Sequence, residues 1–231
     1  MFMSNKNLAN KIIAIFLISL FLLILPTNND LTYSRTTYIR KTYSYKPPKK
    51  LKRAKAKSVG TGSRGCADAN LAKAKLRLLV PKDHIGQSVS GHPTFFWYIV
   101  TKSPIKVNFV LVDPEKIEPI IEVRQNMSET GIGKFQLPHN IPELEQGKSY
   151  RWVVSLVCNE KKPSQNIYAY SWLERVPQTT ALKQQLALHN TSSRAAIYAQ
   201  QGMWYDALAE AFKYKSSSQA FLSLVAPFSD L

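Results

Sequence analysis

From Leu76 to Val176 apolar side chains recur at every second position in short runs separated by Pro, Gly and Asn, and after Pro177 they recur every three or four residues. The first spacing belongs to half-buried strands and the second to helices packed on one face. The expected strands are Leu76–Val80, Thr94–Thr101, Lys106–Val112, Pro119–Arg124, Lys134–Leu137, Ser149–Cys158 and Ile167–Val176. Seven strands in about 100 residues is the quota of an immunoglobulin or fibronectin type III sandwich. The pattern therefore predicts a mainly β fold, a sandwich over residues 65–176 followed by a helical hairpin over 177–231. Phe95-Phe96-Trp97-Tyr98-Ile99-Val100 is apolar on both faces, so this strand is expected to be central or to have further cover. Tyr150, Trp152, Val154, Leu156 and Cys158 share one face of the longest strand, which sets its inward side. Leu144, Gly147 and Tyr150 have the Leu-x-x-Gly-x-x-Tyr spacing of a tyrosine corner, in which the phenol bonds to upstream backbone; the role is architectural. In the hairpin, Ala196 to Leu208 resembles the turn of a single tetratricopeptide unit. One such unit cannot stand alone, so it is expected to cover the sandwich or to grip a partner.

Near the N-terminus the pattern is different. Lys6 and Lys11 precede an apolar run from Ile12 to Leu25, broken only by Ser19 and ended by Pro26. Fourteen residues suit the h-region of a signal peptide better than a membrane span of about 20. Residues 1–25 are therefore expected to be a signal peptide or a signal anchor. The protein is expected to be exported, either periplasmic or membrane-anchored and facing the periplasm. Arg35, Arg40 and Lys41 oppose translocation, but residues 26–34 carry no positive charge.

The net charge of +16 sits mostly ahead of the domain: residues 1–64 hold 13 basic and 1 acidic side chains, residues 65–231 hold 18 and 14. Residues 26–64 read as a basic linker without a fold of its own, since self-repulsion and scarce apolar surface favour an extended chain. Seven of the twelve residues from 46 to 57 are cationic: Lys46, Lys49, Lys50, Lys52, Arg53, Lys55 and Lys57. They form either a solvated spacer or a polyanion contact. Outside the cytoplasm the polyanion is an anionic membrane or wall polymer, and export leaves little role for nucleic acid. Gly60-Thr61-Gly62-Ser63-Arg64-Gly65 has the dinucleotide fingerprint in letters only, because no strand delivers it and no βαβ unit surrounds it.

Cys66 and Cys158 are the chain's two cysteines. A bridge would pin the start of the domain to the long strand; closing 92 residues contributes roughly 4 to 5 kcal/mol in the chain-entropy model. Two buried free thiols is the alternative for a reducing compartment.

Arg64-Gly65-Cys66, His92-Pro93-Thr94-Phe95-Phe96, Asn108-Phe109-Val110-Leu111, Gly147-Lys148-Ser149-Tyr150-Arg151-Trp152, Leu156-Val157-Cys158 and Trp204-Tyr205-Asp206-Ala207-Leu208 follow one another in an order that resembles the cyanobacterial domain of unknown function 928 family. The resemblance covers about residues 60–215 and implies an exported-type β domain followed by helices. It implies no activity, and no catalytic residue comes with it.

The residues themselves point the same way. His84, His92, His139 and His189 show no metal-ligand spacing, and there is no His-Glu-x-x-His, Cys-x-x-Cys or Gly-x-Ser-x-Gly motif. Glu143 and Glu145 read as loop solvation. No cofactor, metal or catalysis is expected. The expected function is that of an envelope module for protein association or structure, with a protein partner; polyanion binding through residues 46–57 is the alternative, and an enzyme site across the sandwich–hairpin junction a further rival.

Overall fold

A computed structural model of the chain describes residues 44–49, 58–59, 66, 71–189, 191–213, 221 and 224. By contacts the chain divides into Met1–Ile39 and Arg40–Leu231, and every described residue belongs to the second unit. The apolar segment 1–25 and the glycines of residues 60–65 lie outside the described residues.

The fold is mainly β and sandwich-like; among the described residues there are two sheets and, after them, three helices. The strands are β1 (Ser58–Val59), β2 (Lys75–Leu78), β3 (Gly86–Ser88), β4 (Thr94–Val100), β5 (Ile105–Val112), β6 (Ile121–Met127), β7 (Gly131–Gln136), β8 (Ser149–Val157) and β9 (Ile167–Arg175). One sheet runs β1-β9-β8-β5-β6, with β3 also paired to β9, in parallel; the other runs β2-β4-β7. The helices are α1 (Thr180–Leu188), α2 (Thr191–Gln200) and α3 (Trp204–Lys213).

The core forms where the alternation said it would. Val107, Phe109 and Leu111 of β5 and Trp152, Val154 and Leu156 of β8 are wholly buried and face Phe95, Trp97 and Ile99 of β4. Phe95 lies 5.1 Å from both Phe109 and Trp152, ring centre to ring centre. The opposite face of β4 has the additional cover expected of it: Phe96 packs on Phe212 at 5.0 Å and on Phe221 at 5.9 Å.

Strand limits differ from the expected ones for local reasons. β6 begins at Ile121 instead of Pro119, which has no N–H to give the ladder, and its half-buried alternation continues to Met127. β7 reaches back to Gly131 because β4 is long enough to pair with it. Gly133 lies against the Trp97 indole, and a Cβ there would run into the ring. The three residues of β3 carry no apolar alternation, so only their pairing with β9 marks them.

The helical part holds α1 as well as the hairpin of α2 and α3. Thr179 caps α1 by accepting from Leu182 N–H at 3.2 Å, and Leu182 and Leu186 are its buried face. Gly202, at φ +80°, ends α2: Gly202 N–H bonds Ala199 O and Met203 N–H bonds Tyr198 O, the pairing of a Schellman turn.

Two pieces of the stretch expected to lack a fold lie on the domain. Ser58–Val59 adds to the edge of β9, and Lys46 N–H donates to Ala199 O at 3.0 Å. The reason is local: counting cations sees only repulsion, whereas an open strand edge and an aromatic side chain both find partners.

Candidate functional site

The junction between α3 and the sheets gathers the polar groups. α3 is buried over most of its length: Trp204, Tyr205, Asp206, Ala207, Leu208, Glu210 and Ala211 are all inside. Trp204 Nε1 donates to Leu79 O at 2.9 Å. Trp152 Nε1 donates to the Tyr205 hydroxyl, which in turn donates to Trp172 O, both at 2.9 Å. Gly86 of β3 has room for no side chain here, since a Cβ would come within 2.9 Å of the Tyr205 ring. Burial raises the Tyr205 phenol far above its usual range and keeps it a neutral hydroxyl.

Asp206 ties the first turn of α3 to β3. Its Oδ1 accepts from Ser88 Oγ at 3.2 Å and its Oδ2 from Val89 N–H at 3.0 Å. Burial pushes its carboxyl up to about 6, against the pull of those hydrogen bonds. Arg175, 6% exposed, is held likewise by Val89 O through Nε and by Leu144 O through an Nη, at 3.1 and 2.8 Å.

Tyr45 lies across the other side of the hairpin. Its ring meets Trp204 edge-on at 4.8 Å, and its hydroxyl is 2.8 Å from His84 Nε2. The Nδ1 of His84 pairs with Asp83 at 2.7 Å. Burial, then the charge of Asp83, raises the Tyr45 phenol. Gly202 leaves space for Pro48, whose N a Cβ would approach to 3.0 Å.

A cavity of about 510 Å³ opens beside α3, walled by Phe96, Phe212 and Tyr198 and carrying Lys134, Glu210 and Lys213. A broader hollow of about 800 Å³ lies between the β5–β6 turn and the segment 141–150, where Ile117 is fully exposed.

The residues singled out in the sequence do not gather in one site. The Tyr150 hydroxyl accepts from Glu145 N–H at 2.7 Å, with Leu144 buried and Gly147 at φ +83°. Cys66 and Cys158 are joined as a disulfide, their Cα atoms 5.1 Å apart. Cys158 is half-buried just past the end of β8, not sealed within its inward face. Of the seven cations, Lys46 and Lys49 are exposed; Lys50, Lys52, Arg53, Lys55 and Lys57 lie outside the described residues. His92 Nε2 donates to Ile141 O at 2.9 Å and its ring tilts against His139. Among the described residues no group of His, Cys, Asp and Glu is placed to hold a metal ion. Among them, too, no helix is long and apolar enough to cross a membrane.

Residues 59–231 match the Domain of Unknown Function (DUF928) family. The chain belongs to that family. No curated protein matches it. The DUF928 match begins inside β1, so the cationic run lies ahead of it. Within the DUF928 region the site contains residues that sequence reading passed over, chiefly Asp206, Glu210 and Lys134. Asp206 and Glu210 did leave a signal: two carboxylates spaced i, i+4 on a helix whose other residues before its terminal Lys213 are Trp, Tyr, Ala, Leu and Phe.

Proposed function

We propose that this DUF928 protein is an exported envelope module, non-catalytic, whose sandwich and helices form a braced scaffold for association with a protein partner. The observation that carries the reading is how the buried polar groups of the junction are used. Asp206, Arg175, Trp204, Tyr205 and Trp152 each spend their hydrogen bonds on tying one element to another. Groups committed in this way fix geometry and offer no free acid–base pair to a substrate. The Cys66–Cys158 bridge supports export, since such bonds persist in oxidising compartments. An immunoglobulin or fibronectin III-like sandwich remains our reading of the β part, supported by the corner at Tyr150.

The test is a photo-crosslinking side chain placed at Leu188, an 83% exposed apolar residue at the end of α1, in producing cells. The reading expects one discrete adduct in the envelope fraction, and none from the same group at exposed Glu122 on β6. Equal adducts from both positions, or none from either, would overturn it.

A second reading, polyanion binding through residues 46–57, is favoured by one observation: the described pieces at the start of that segment, Tyr45–Pro48, and just after it, Ser58–Val59, are both held on the domain. Replacing all seven cations by glutamine is then expected to abolish binding to anionic vesicles and its salt dependence. A spacer would be indifferent to the change.

A further inference from the structure

The seat that holds Tyr45 and Pro48 is built by one part of the chain and filled by another. Its walls are His84 with Asp83, the end of α2 from Ala199 to Gly202, and Trp204 at the start of α3. All of these lie within the DUF928 match over residues 59–231, whereas the occupying strap, residues 44–49, lies ahead of it. With the strap in place His84 is 3% and Trp204 1% exposed. The matched region by itself would therefore present a bare aromatic edge beside a ring nitrogen that has lost its donor. An apolar face with a polar group set into it is what a docking surface offers, so the region calls for an occupant and here takes one from its own chain.

The contacts define what an occupant must carry. Tyr45 and Pro48, three residues apart, are half-buried, while Ser44, Lys46, Pro47 and Lys49 are exposed. A period of three is that of an extended, proline-bearing segment, and such segments dock on aromatic-lined grooves. Asp83 engages His84 Nδ1 at 2.7 Å, which leaves Nε2 to accept the Tyr45 O–H at 2.8 Å. The Tyr45 ring meets the Trp204 edge at 4.8 Å. Gly202, at φ +80°, lets the Pro48 ring approach, and any side chain there would crowd it. A phenylalanine in place of the tyrosine would leave Nε2 without a donor. The strap is also lightly held: among the described residues its backbone makes one hydrogen bond to the domain, from Lys46 N–H to Ala199 O at 3.0 Å.

We propose that this seat is the domain's docking site for an extended segment of a partner protein with the pattern Tyr-x-x-Pro, and that residues 44–49 occupy it in cis until such a segment displaces them. The tyrosine is read by His84 Nε2 and the Trp204 edge, the proline by Gly202, and the two positions between them point outward and carry no specificity. The inference rests on the partner reading above and names the partner's chemistry. It fails separately from that reading, because a purified chain that binds no such peptide leaves a partner crosslinked at Leu188 untouched.

The test follows, by fluorescence anisotropy, binding of the labelled hexapeptide Ser-Tyr-Lys-Pro-Pro-Lys, the sequence of residues 44–49, to the purified full chain. Two strap variants open the seat. Tyr45→Ala removes the anchoring ring, and Lys46→Pro, a milder change at an exposed position, removes the N–H given to Ala199 O; thermal melting verifies that each folds. The opened chains are expected to bind the peptide saturably below about 1 mM. Wild-type chain is expected to bind it about tenfold more weakly or worse, because a tethered strap competes at an effective concentration in the millimolar range. Peptides carrying Ala or Phe in place of the tyrosine are expected to lose binding or to bind severalfold more weakly, and this comparison needs no further protein variant. Absence of saturation by both opened chains at about 1 mM overturns the proposal. So does equal binding by wild-type and opened chains, or equal binding of the alanine peptide. A wild-type dimer that Tyr45→Ala converts to a monomer would show that the occupant is the strap of a second copy, and would overturn the foreign partner.

Discussion

Single residues in this protein are constrained by what they touch more than by what they are. Gly131 and Gly133 sit two apart in β7, yet a Cβ at Gly131 would meet open space and one at Gly133 would strike the Trp97 indole. Gly133→Ala is therefore expected to cost about 1–3 kcal/mol in urea unfolding, and Gly131→Ala no more than about 0.5. Asp206 makes a different demand. Its carboxyl holds a proton up to about pH 6 when folded and loses it near 3.8 when unfolded. The folded state then binds more protons between those values, so this residue's contribution falls as pH rises from about 4 to about 6, on the order of 3 kcal/mol in all. Above about 6 it is flat. In urea melts at pH 4, 5, 6 and 7, the stability of the wild-type chain relative to Asp206→Asn is expected to decline over that window; a constant difference would refute the buried carboxyl. Neither demand was visible as letters. Asp206 and Ser88 are 118 residues apart, and only the docking of α3 on β3 brings them together.

At the scale of elements, alternation located β4, β5 and β8 because each has a buried face that repeats every second residue. It passed over β3, whose identity comes from β9 beside it and Tyr205 above it. The helices after Pro177 were legible for the same reason as the strands, through Leu182 and Leu186, and through Ala207, Leu208 and Ala211. Tyr45 was not: among so many cations it counted as part of a spacer, and its place against Trp204 and His84 depends on three separate parts of the chain. That strap has a measurable effect. Tyr45→Phe keeps the ring and removes the bond to His84, at an expected cost of about 0.5–1.5 kcal/mol. Tyr45→Ala also removes the ring contacts and is expected to cost about 3 kcal/mol or more, with faster amide exchange at the α2–α3 turn. Equal losses in the two variants would show that the ring contributes nothing.

For the whole molecule, helices and sheets share one hydrophobic core, and Trp204, Tyr205 and Leu208 belong to it as fully as Trp97 and Trp152. The disulfide then closes 92 residues, nearly all of the β part, into a loop. Replacing Cys66 and Cys158 together by Ser is expected to lower the guanidinium-derived stability by about 2–5 kcal/mol, and the same loss is expected on reduction of the wild-type chain. A braced domain of this kind suits a compartment with no reducing agents, and the proposed envelope function depends on that location. The most direct check is to fractionate producing cells, alkylate without reduction, and count the added groups on the intact chain by mass. An exported scaffold predicts that the protein is in the envelope fraction with no thiol modified until reductant is added, and with two modified afterwards. A cytosolic protein with both thiols modified before reduction would contradict it.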